Sequence, residues 1–316
     1  MSELEGYWKR LYELPGIVRR PEEAKLSTLR EGGARILVEE QTEFQRLLLV
    51  ETPKKEVLLL LDGEIQFYSG DEQRFHESLA IVPSLYHEAP LRRVGVMGGG
   101  DGLIARELLA HFGDEIELIR IIDIDPAITD LARTQPQLLE LSRGSLLDER
   151  VEVVNANALT YRSDTLFDLI LCDLPDPTTP ILSSLYNREF YQHLQGQLVP
   201  EDGVLGVQIA YVPPLFDGVV STLRSVFPAV REYATWMYSF VRAGFALCGP
   251  EPLERCRDVP EGTRHLTRES LNQMFYFAPD EPRATVWEIA TEENGNVQEW
   301  YGAYLREYFE ERILYY

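Results

Sequence analysis

"RRVGVMGGGDGLIARELLAHF", residues 92 to 112, decides the fold. Its first six residues, "RRVGVM", read as a short strand, and "LIARELLAHF" (103 to 112) spaces its apolar residues as one face of a helix does. Between them "GGGDG" (98 to 102) is a turn whose bare backbone can approach a ligand at a helix N-terminus. Working outward, the same grammar repeats. Strand "IELIRIID" (116 to 123) is followed by helix "PAITDLARTQ" (126 to 135), then by strands "RVEVVNA" (150 to 156) and "FDLILCD" (167 to 173). A fifth strand, "GVLGVQIAYV" (203 to 212), precedes helix "LFDGVVSTLRSVF" (215 to 227), and "REYATWMYSF" with "AGFALCG" reads as a terminal antiparallel hairpin. This alternation predicts a doubly wound parallel α/β sheet over residues 85–316, with ligands at the carboxyl ends of its strands.

Residues 1–84 read differently. "ARILVEEQT", "FQRLLLVETP", "EVLLLLDG" and "EIQFYSG" are short apolar or alternating runs broken by Gly, Pro and acidic residues, which predicts a small N-terminal β-rich domain. The 316 residues, 45% of them hydrophobic, suffice for one large domain and one small one. "EVLLLLDG" (56 to 63) falls far short of the roughly 20 apolar residues that a bilayer requires. "MSELEGYWKR" lacks an apolar signal core. A cytoplasmic protein is the expectation. Cys172, Cys248 and Cys256 lack metal-ligand spacing and the five histidines form no HExxH cluster, so neither a disulfide nor a structural metal is expected. A formal charge of −22 argues against nucleic acid and anionic membrane as partners. The same charge suits a cationic small substrate, and equally suits simple solubility or adaptation to salt.

Acidic residues close the predicted strands. Asp123, about 20 residues beyond the glycines at the end of the next strand, can accept hydrogen bonds from ribose hydroxyls, which indicates a nucleoside-bearing ligand. Asp101 inside the turn would repel a pyrophosphate, disfavouring NAD or FAD and favouring a cationic S-adenosyl compound. Asn157 follows the third strand, where an amide could read an adenine edge or simply cap a turn. "LILCDLPDPTTP" (169 to 180) ends an apolar strand with Asp173 and Asp176 beside prolines. Such a pair can be a turn cap. Adjacent carboxylates at three strand ends are costly unless cations occupy the site, so a polycationic ligand is expected.

Taken in order, these motifs resemble the aminopropyltransferases typified by spermidine synthase, in a divergent bacterial form. "TEFQRLLL", "LLLLDGEIQF", "DEQRFHESLA", "GGGDG", "DLPDP", "EDGVLGVQ" and "GFALCG" match the family's ordered series over roughly residues 40 to 250. The resemblance implies a Rossmann-like, methyltransferase-type sheet and transfer of the aminopropyl group of decarboxylated S-adenosylmethionine, a co-substrate, to a diamine or polyamine. Methylthioadenosine would be released, with no tightly bound cofactor. Carried over residue by residue, Gln45 and Asp123 would hold the ribose, Asn157 the adenine, and Asp101 the aminopropyl ammonium beside Gly98, Gly99 and Gly100. Asp173 would be the catalytic acceptor, while His76, Asp176, Gln208 and Tyr238 would contact the amine. Three departures from the family's pattern stand out: Phe75 replaces a tyrosine, Leu174-Pro175 replaces two small hydroxyl residues, and Asn157 replaces an aspartate.

The chemistry itself leaves two competitors: an S-adenosylmethionine methyltransferase on the same fold, and a non-catalytic nucleoside- or polyamine-binding homologue. Towards the C-terminus, "LTRESLNQMFYFAPDEP" (266 to 282) predicts a helix and a proline-bounded turn, and "VQEWYGAYLREYFEERILYY" (297 to 316) an amphipathic, aromatic-rich helix. The resemblance implies a homodimer. "EGYWKRLYE" (5 to 13) could lean over the amine site as a lid or pack on a partner.

Overall fold

The computed structural model describes residues 29–239, 241–281, 283–284 and 288–303. These residues fall into two compact units, one of the residues up to Gly70 together with 302–303, the other Asp71–Tyr301. In the first, β1 (Arg35–Gln41), β2 (Arg46–Glu51), β3 (Val57–Leu61) and β4 (Glu64–Tyr68) form an antiparallel meander in sequence order. Asp62 and Gly63 close the last hairpin with φ of 48° and 79°, the left-handed pair that a two-residue turn between twisted strands needs. Leu48, Val50 and Leu60 are buried on one face, with Ile36, Leu58 and Ile65 packed against them.

The second unit, Asp71–Tyr301, begins with α1 (Glu72–Ser84). Its sheet has seven strands: β5 (Arg93–Gly98), β6 (Leu118–Asp123), β7 (Val151–Asn155), β8 (Leu169–Asp173), β9 (Val204–Ala210), β10 (Ala229–Met237) and β11 (Val241–Gly249). Their spatial order is β10-β11-β9-β8-β5-β6-β7, parallel from β9 to β7 and antiparallel at the β10–β11 hairpin. Val94, Val96, Ile119, Ile121, Leu169 and Leu171 are wholly buried, as strands covered on both faces must be. Helices α2 (Leu103–Phe112), α3 (Pro126–Thr134), α4 (Pro136–Ser142), α5 (Arg188–Gln195), α6 (Leu215–Arg224) and α7 (Arg268–Met274) belong to the same unit. Local chemistry sets several starts. Asp125 accepts from the Ala127 N–H with Pro126 at the first helical position of α3, and Asn187 accepts from Phe190 N–H at α5. Strand order reverses between β5 and β8, so their carboxyl ends flank a crevice at the switch point.

The expected boundary at residue 84 moves to residue 70, because α1 belongs to the larger unit. Leu79, Ala80, Ile81 and Val82 lie in that unit's core, and the Tyr233 hydroxyl donates to the Ser78 carbonyl at 3.0 Å. Cys172 and Cys248 are buried, Cys256 is exposed, and all three are free thiols. Among the described residues no helix is long and apolar enough to cross a membrane. Residues 5–13 lie outside the described residues. So does most of the last predicted helix, of which 296–303 are helical.

Candidate active site

Register alone brings the glycine turn to the acidic strand end, since Gly98 stands opposite Asp173 across β5 and β8. A Cβ on Gly98 would lie 1.9 Å from the Asp173 carbonyl oxygen, and its φ is +83°, so glycine is required there. Gly100 approaches Asp123 as closely: its N–H donates to Oδ2 at 3.0 Å, where a Cβ would come within 2.5 Å of that oxygen. The other Asp123 oxygen accepts from the Asp125 N–H at 2.9 Å. Asp101 turns one oxygen to the Leu103 N–H at 2.9 Å, capping α2 where the helix dipole favours an anion.

Helix α1 supplies the fourth group. His76 is 2% exposed, and its Nδ1 lies 2.8 Å from both the Glu72 carbonyl and Glu72 Oε2. His76, Asp101 and Asp173 each present one polar atom within 4.8 Å of the others. With Nδ1 engaged by Glu72, Nε2 is the ring nitrogen left for the two carboxylates. Glu72 also receives Arg106 through two nitrogens, at 3.0 and 2.7 Å, and Arg264 at 3.1 Å. Glu77 accepts the backbone N–H groups of Arg264, His265 and Leu266 at 2.7, 2.9 and 2.7 Å. The buried polar face of α1 is thereby fixed, and His76 with it. The Phe75 ring meets the His76 ring edge-on, centres 5.2 Å apart.

Burial and like charges then set the electrostatics. Burial, with the charge of Asp101 and a smaller one from Asp123, pushes Asp173 up to about 7 against the opposing pull of His76. Asp123 is raised to about 6, chiefly by burial, which outweighs its hydrogen bonds from Asp125 and Gly100. Burial would lower the pKa of His76, but Glu72, Asp101 and Asp173 together raise it. Glu72 is held well below the usual carboxylate range, despite its burial, by His76 and Arg106. Among the described residues, no lysine or arginine pairs with Asp101, Asp123 or Asp173. One imidazole and two carboxylates could take a divalent cation or an ammonium. Unaccompanied, three close carboxylates resist full ionisation.

Beyond Asp173 the chain is held by a residue that no motif signalled. Tyr186 is buried, and its hydroxyl lies 3.2 and 3.0 Å from the Leu174 and Pro175 carbonyls and 3.4 Å from Gln208 Oε1. Gln208 Nε2 in turn reaches Asp176 Oδ1 at 3.5 Å. Asp176, Gln208 and Tyr186 therefore form one polar group beside the Leu174-Pro175 turn. The remaining candidates make other contacts. Tyr238, 72% exposed at the β10–β11 turn, receives Arg74 on its hydroxyl at 3.2 Å and the guanidinium 4.7 Å from its ring centre. Asn157 is exposed and caps a turn, its Oδ1 accepting from Leu159 N–H at 3.0 Å. Gln45 belongs to the first unit, in the β1–β2 turn, where its carbonyl accepts from the Thr42 hydroxyl at 3.0 Å. Glu72, Arg106 and Tyr186 were not anticipated. The i,i+4 spacing of Glu72 and His76 was a usable signal for the first, whereas Arg106 and Tyr186 reach the site only through tertiary packing.

Comparisons with known proteins bear on the family and the fold. The spermine/spermidine synthase domain matches residues 72–252. A polyamine aminopropyltransferase of Oceanobacillus iheyensis is 33% identical over 77% of this chain and 48% of its own length. Polyamine aminopropyltransferase 1 of Streptomyces coelicolor is 36% identical over 79% of this chain and 48% of its own. The chain thus spans about half the length of the curated relatives it matches. Among solved structures, spermidine synthase bound to the transition-state analogue AdoDATO superposes with a TM-score of 0.69 at 28% identity, covering 77% of this chain and 86% of that one. Spermidine synthase of Thermotoga maritima gives a TM-score of 0.67 at 27% identity, covering 77% and 85% respectively. With the domain matched from Glu72 into the turn after β11, across the glycine turn and both acidic strand ends, this chain belongs to the spermine/spermidine synthase family.

Proposed function

We propose that the chain transfers the aminopropyl group of decarboxylated S-adenosylmethionine to a diamine or polyamine, releasing methylthioadenosine. The observation that carries this reading is the group formed by His76, Asp101 and Asp173, with polar atoms within 4.8 Å and no lysine or arginine partner on the carboxylates among the described residues. Such a group is costly until a cation enters it. Asp123 would hold the ribose hydroxyls beside Gly98, Gly99 and Gly100, with Asn157 completing the nucleoside contacts. Asp101 would accept the ammonium of the aminopropyl arm. It would also repel the carboxylate of ordinary S-adenosylmethionine, which disfavours a methyltransferase.

The amine substrate arrives as a dication, since alkyl ammoniums titrate near pH 10. Only a neutral nitrogen has the lone pair needed for attack. Asp176, with Gln208 beside it, would retain the distal ammonium, with Tyr238 at the rim. Asp173 would take a proton from the attacking nitrogen. A carboxyl raised to about 7 suits that task, because it is basic enough to accept a proton and acidic enough to be ionised near neutrality. The nitrogen then forms a bond to the methylene next to the sulfonium while the carbon–sulfur bond breaks. Its electron pair goes to sulfur, cancelling the positive charge and yielding methylthioadenosine. Alignment of nitrogen, carbon and sulfur supplies the largest part of the rate gain. A homodimer, a cytoplasmic location and the absence of a tightly bound cofactor belong to the same reading.

Asp173→Asn tests it. Turnover should fall by about 10²- to 10⁴-fold while decarboxylated S-adenosylmethionine still binds. Turnover close to that of the unaltered protein would remove Asp173 from the reaction.

A further inference from the structure

A cleft of about 390 Å³, lined by Tyr86, Arg231, Arg255, Leu271, Asn272 and Phe275, opens near the far end of α1. Ser84, where α1 ends, lies eight residues beyond His76, roughly 12 Å along the helix, and Tyr86 follows it in the next turn. This cleft is therefore separate from the acidic cluster, and its charge is opposite.

The guanidinium of Arg231 sits 4.6 Å from the centre of the Phe275 ring and 5.2 Å from that of Tyr86. Ring faces attract the cation without accepting its N–H groups in ordinary hydrogen bonds. Arg255 approaches from the segment after β11, and its Nη1 is shielded from solvent with no hydrogen-bond partner. Both guanidiniums stand near enough to Tyr86 to oppose the burial that raises its hydroxyl's pKa. Among the described residues neither arginine has a carboxylate partner, a condition they share with Arg74, Arg93 and Arg162. In a chain with 52 acidic and 30 basic residues, scarcity of carboxylates does not explain this. Two adjacent cations that leave their donors unspent repel each other, and a shielded N–H without an acceptor is destabilising. A ligand bearing several anionic oxygens would correct both.

We propose that this cleft binds a small polyanion, with Arg231 and Arg255 as a paired clamp, Asn272 as a neutral donor and Leu271 as the apolar floor. The planar forks of two arginines match phosphate or carboxylate oxygens in pairs. The volume lies within the range of small-molecule sites and exceeds what a single inorganic phosphate fills. This site is independent of the reading given to the acidic cluster, because binding is measured directly.

Titration calorimetry on the full chain at fixed ionic strength provides the test, with inorganic pyrophosphate in one arm and citrate in the other. Saturable binding at one site is expected. Arg231→Gln, Arg255→Gln and Asn272→Asp should each weaken it about tenfold or more, which is about 1.4 kcal/mol. Asn272→Asp keeps the side chain's size while replacing its N–H donor with a negative charge, so it remains informative if an arginine variant folds poorly. The stronger arm distinguishes a phosphate-bearing ligand from a polycarboxylate. Absence of saturable binding in both arms, or affinities unchanged in all three variants, would overturn the proposal.

Discussion

Asp173→Asn should stabilise the ligand-free protein, and by an amount that grows with pH. Asp173 ionises near 7 in the folded protein, because of burial and the neighbouring Asp101. In the unfolded chain it ionises near 3.9. Since the folded pKa is the higher, its stabilising contribution is complete below about pH 4 and is lost as pH rises through about 7. Each pH unit in that window costs about 1.4 kcal/mol, so between pH 5 and pH 8 the unaltered protein should lose ~2.6 kcal/mol through this residue. Asparagine keeps the shape and cannot ionise. For a unit of this size, ~2.6 kcal/mol corresponds to roughly 5–10 °C in Tm. The assay is thermal unfolding of both proteins, without ligand, across pH 5 to 8. The difference in Tm, variant minus unaltered, should widen by that amount towards alkaline pH. A difference that stays constant across the range would refute the claim that Asp173 is held protonated by its surroundings.

Glu72→Gln leaves Arg106 and His76 without their shared anion in a buried setting, and should cost about 3–5 kcal/mol in denaturant unfolding. A loss below about 1 kcal/mol would show that the network is not structural. Gly98→Ala forces a methyl group against the Asp173 carbonyl and a left-handed φ onto alanine, so a loss of at least ~2 kcal/mol, or failure to fold, is expected. Unchanged stability would contradict the close approach of β5 to β8. His76→Gln removes a charge that lowers the pKa of Asp173, so the rising limb of the pH–rate profile should move to higher pH. A limb that stays in place would separate His76 from Asp173 electrostatically. Asp101→Ala should weaken decarboxylated S-adenosylmethionine about tenfold or more and narrow its advantage over S-adenosylmethionine. Equal affinities in calorimetry would count against the ammonium contact.

Much of this was legible in the sequence because the central strands are apolar and end sharply. The strands within "RRVGVMG", "IELIRIID" and "FDLILCD" are buried over most of their length, and they close on Gly98, Asp123 and Asp173. Register does the rest, pairing Gly98 with Asp173. Helix α1 was less readable. It buries Glu72, His76 and Glu77 as well as Leu79 to Val82, so its apolar pattern gives no clean stripe and its domain was misjudged. Helix α5 lies in a stretch to which sequence reading gave no element, "NREFYQHLQ", although Asn187 caps it. Tyr186 and Arg106 act across 22 and 34 residues, on Gln208 and Glu72 respectively, and local pattern carries no trace of such contacts. Tyr238 illustrates the reverse case: family resemblance places it at the amine, while its recorded partner is Arg74.

The central claim is that the carboxylates at the strand ends serve amine-dependent cleavage of a sulfonium. Methylthioadenosine release should therefore be measured with decarboxylated S-adenosylmethionine against putrescine, cadaverine, agmatine and spermidine, beside a no-amine control and ordinary S-adenosylmethionine. Release that requires one of the amines and fails with ordinary S-adenosylmethionine is the result predicted. No release with any amine, while decarboxylated S-adenosylmethionine demonstrably binds, would contradict it.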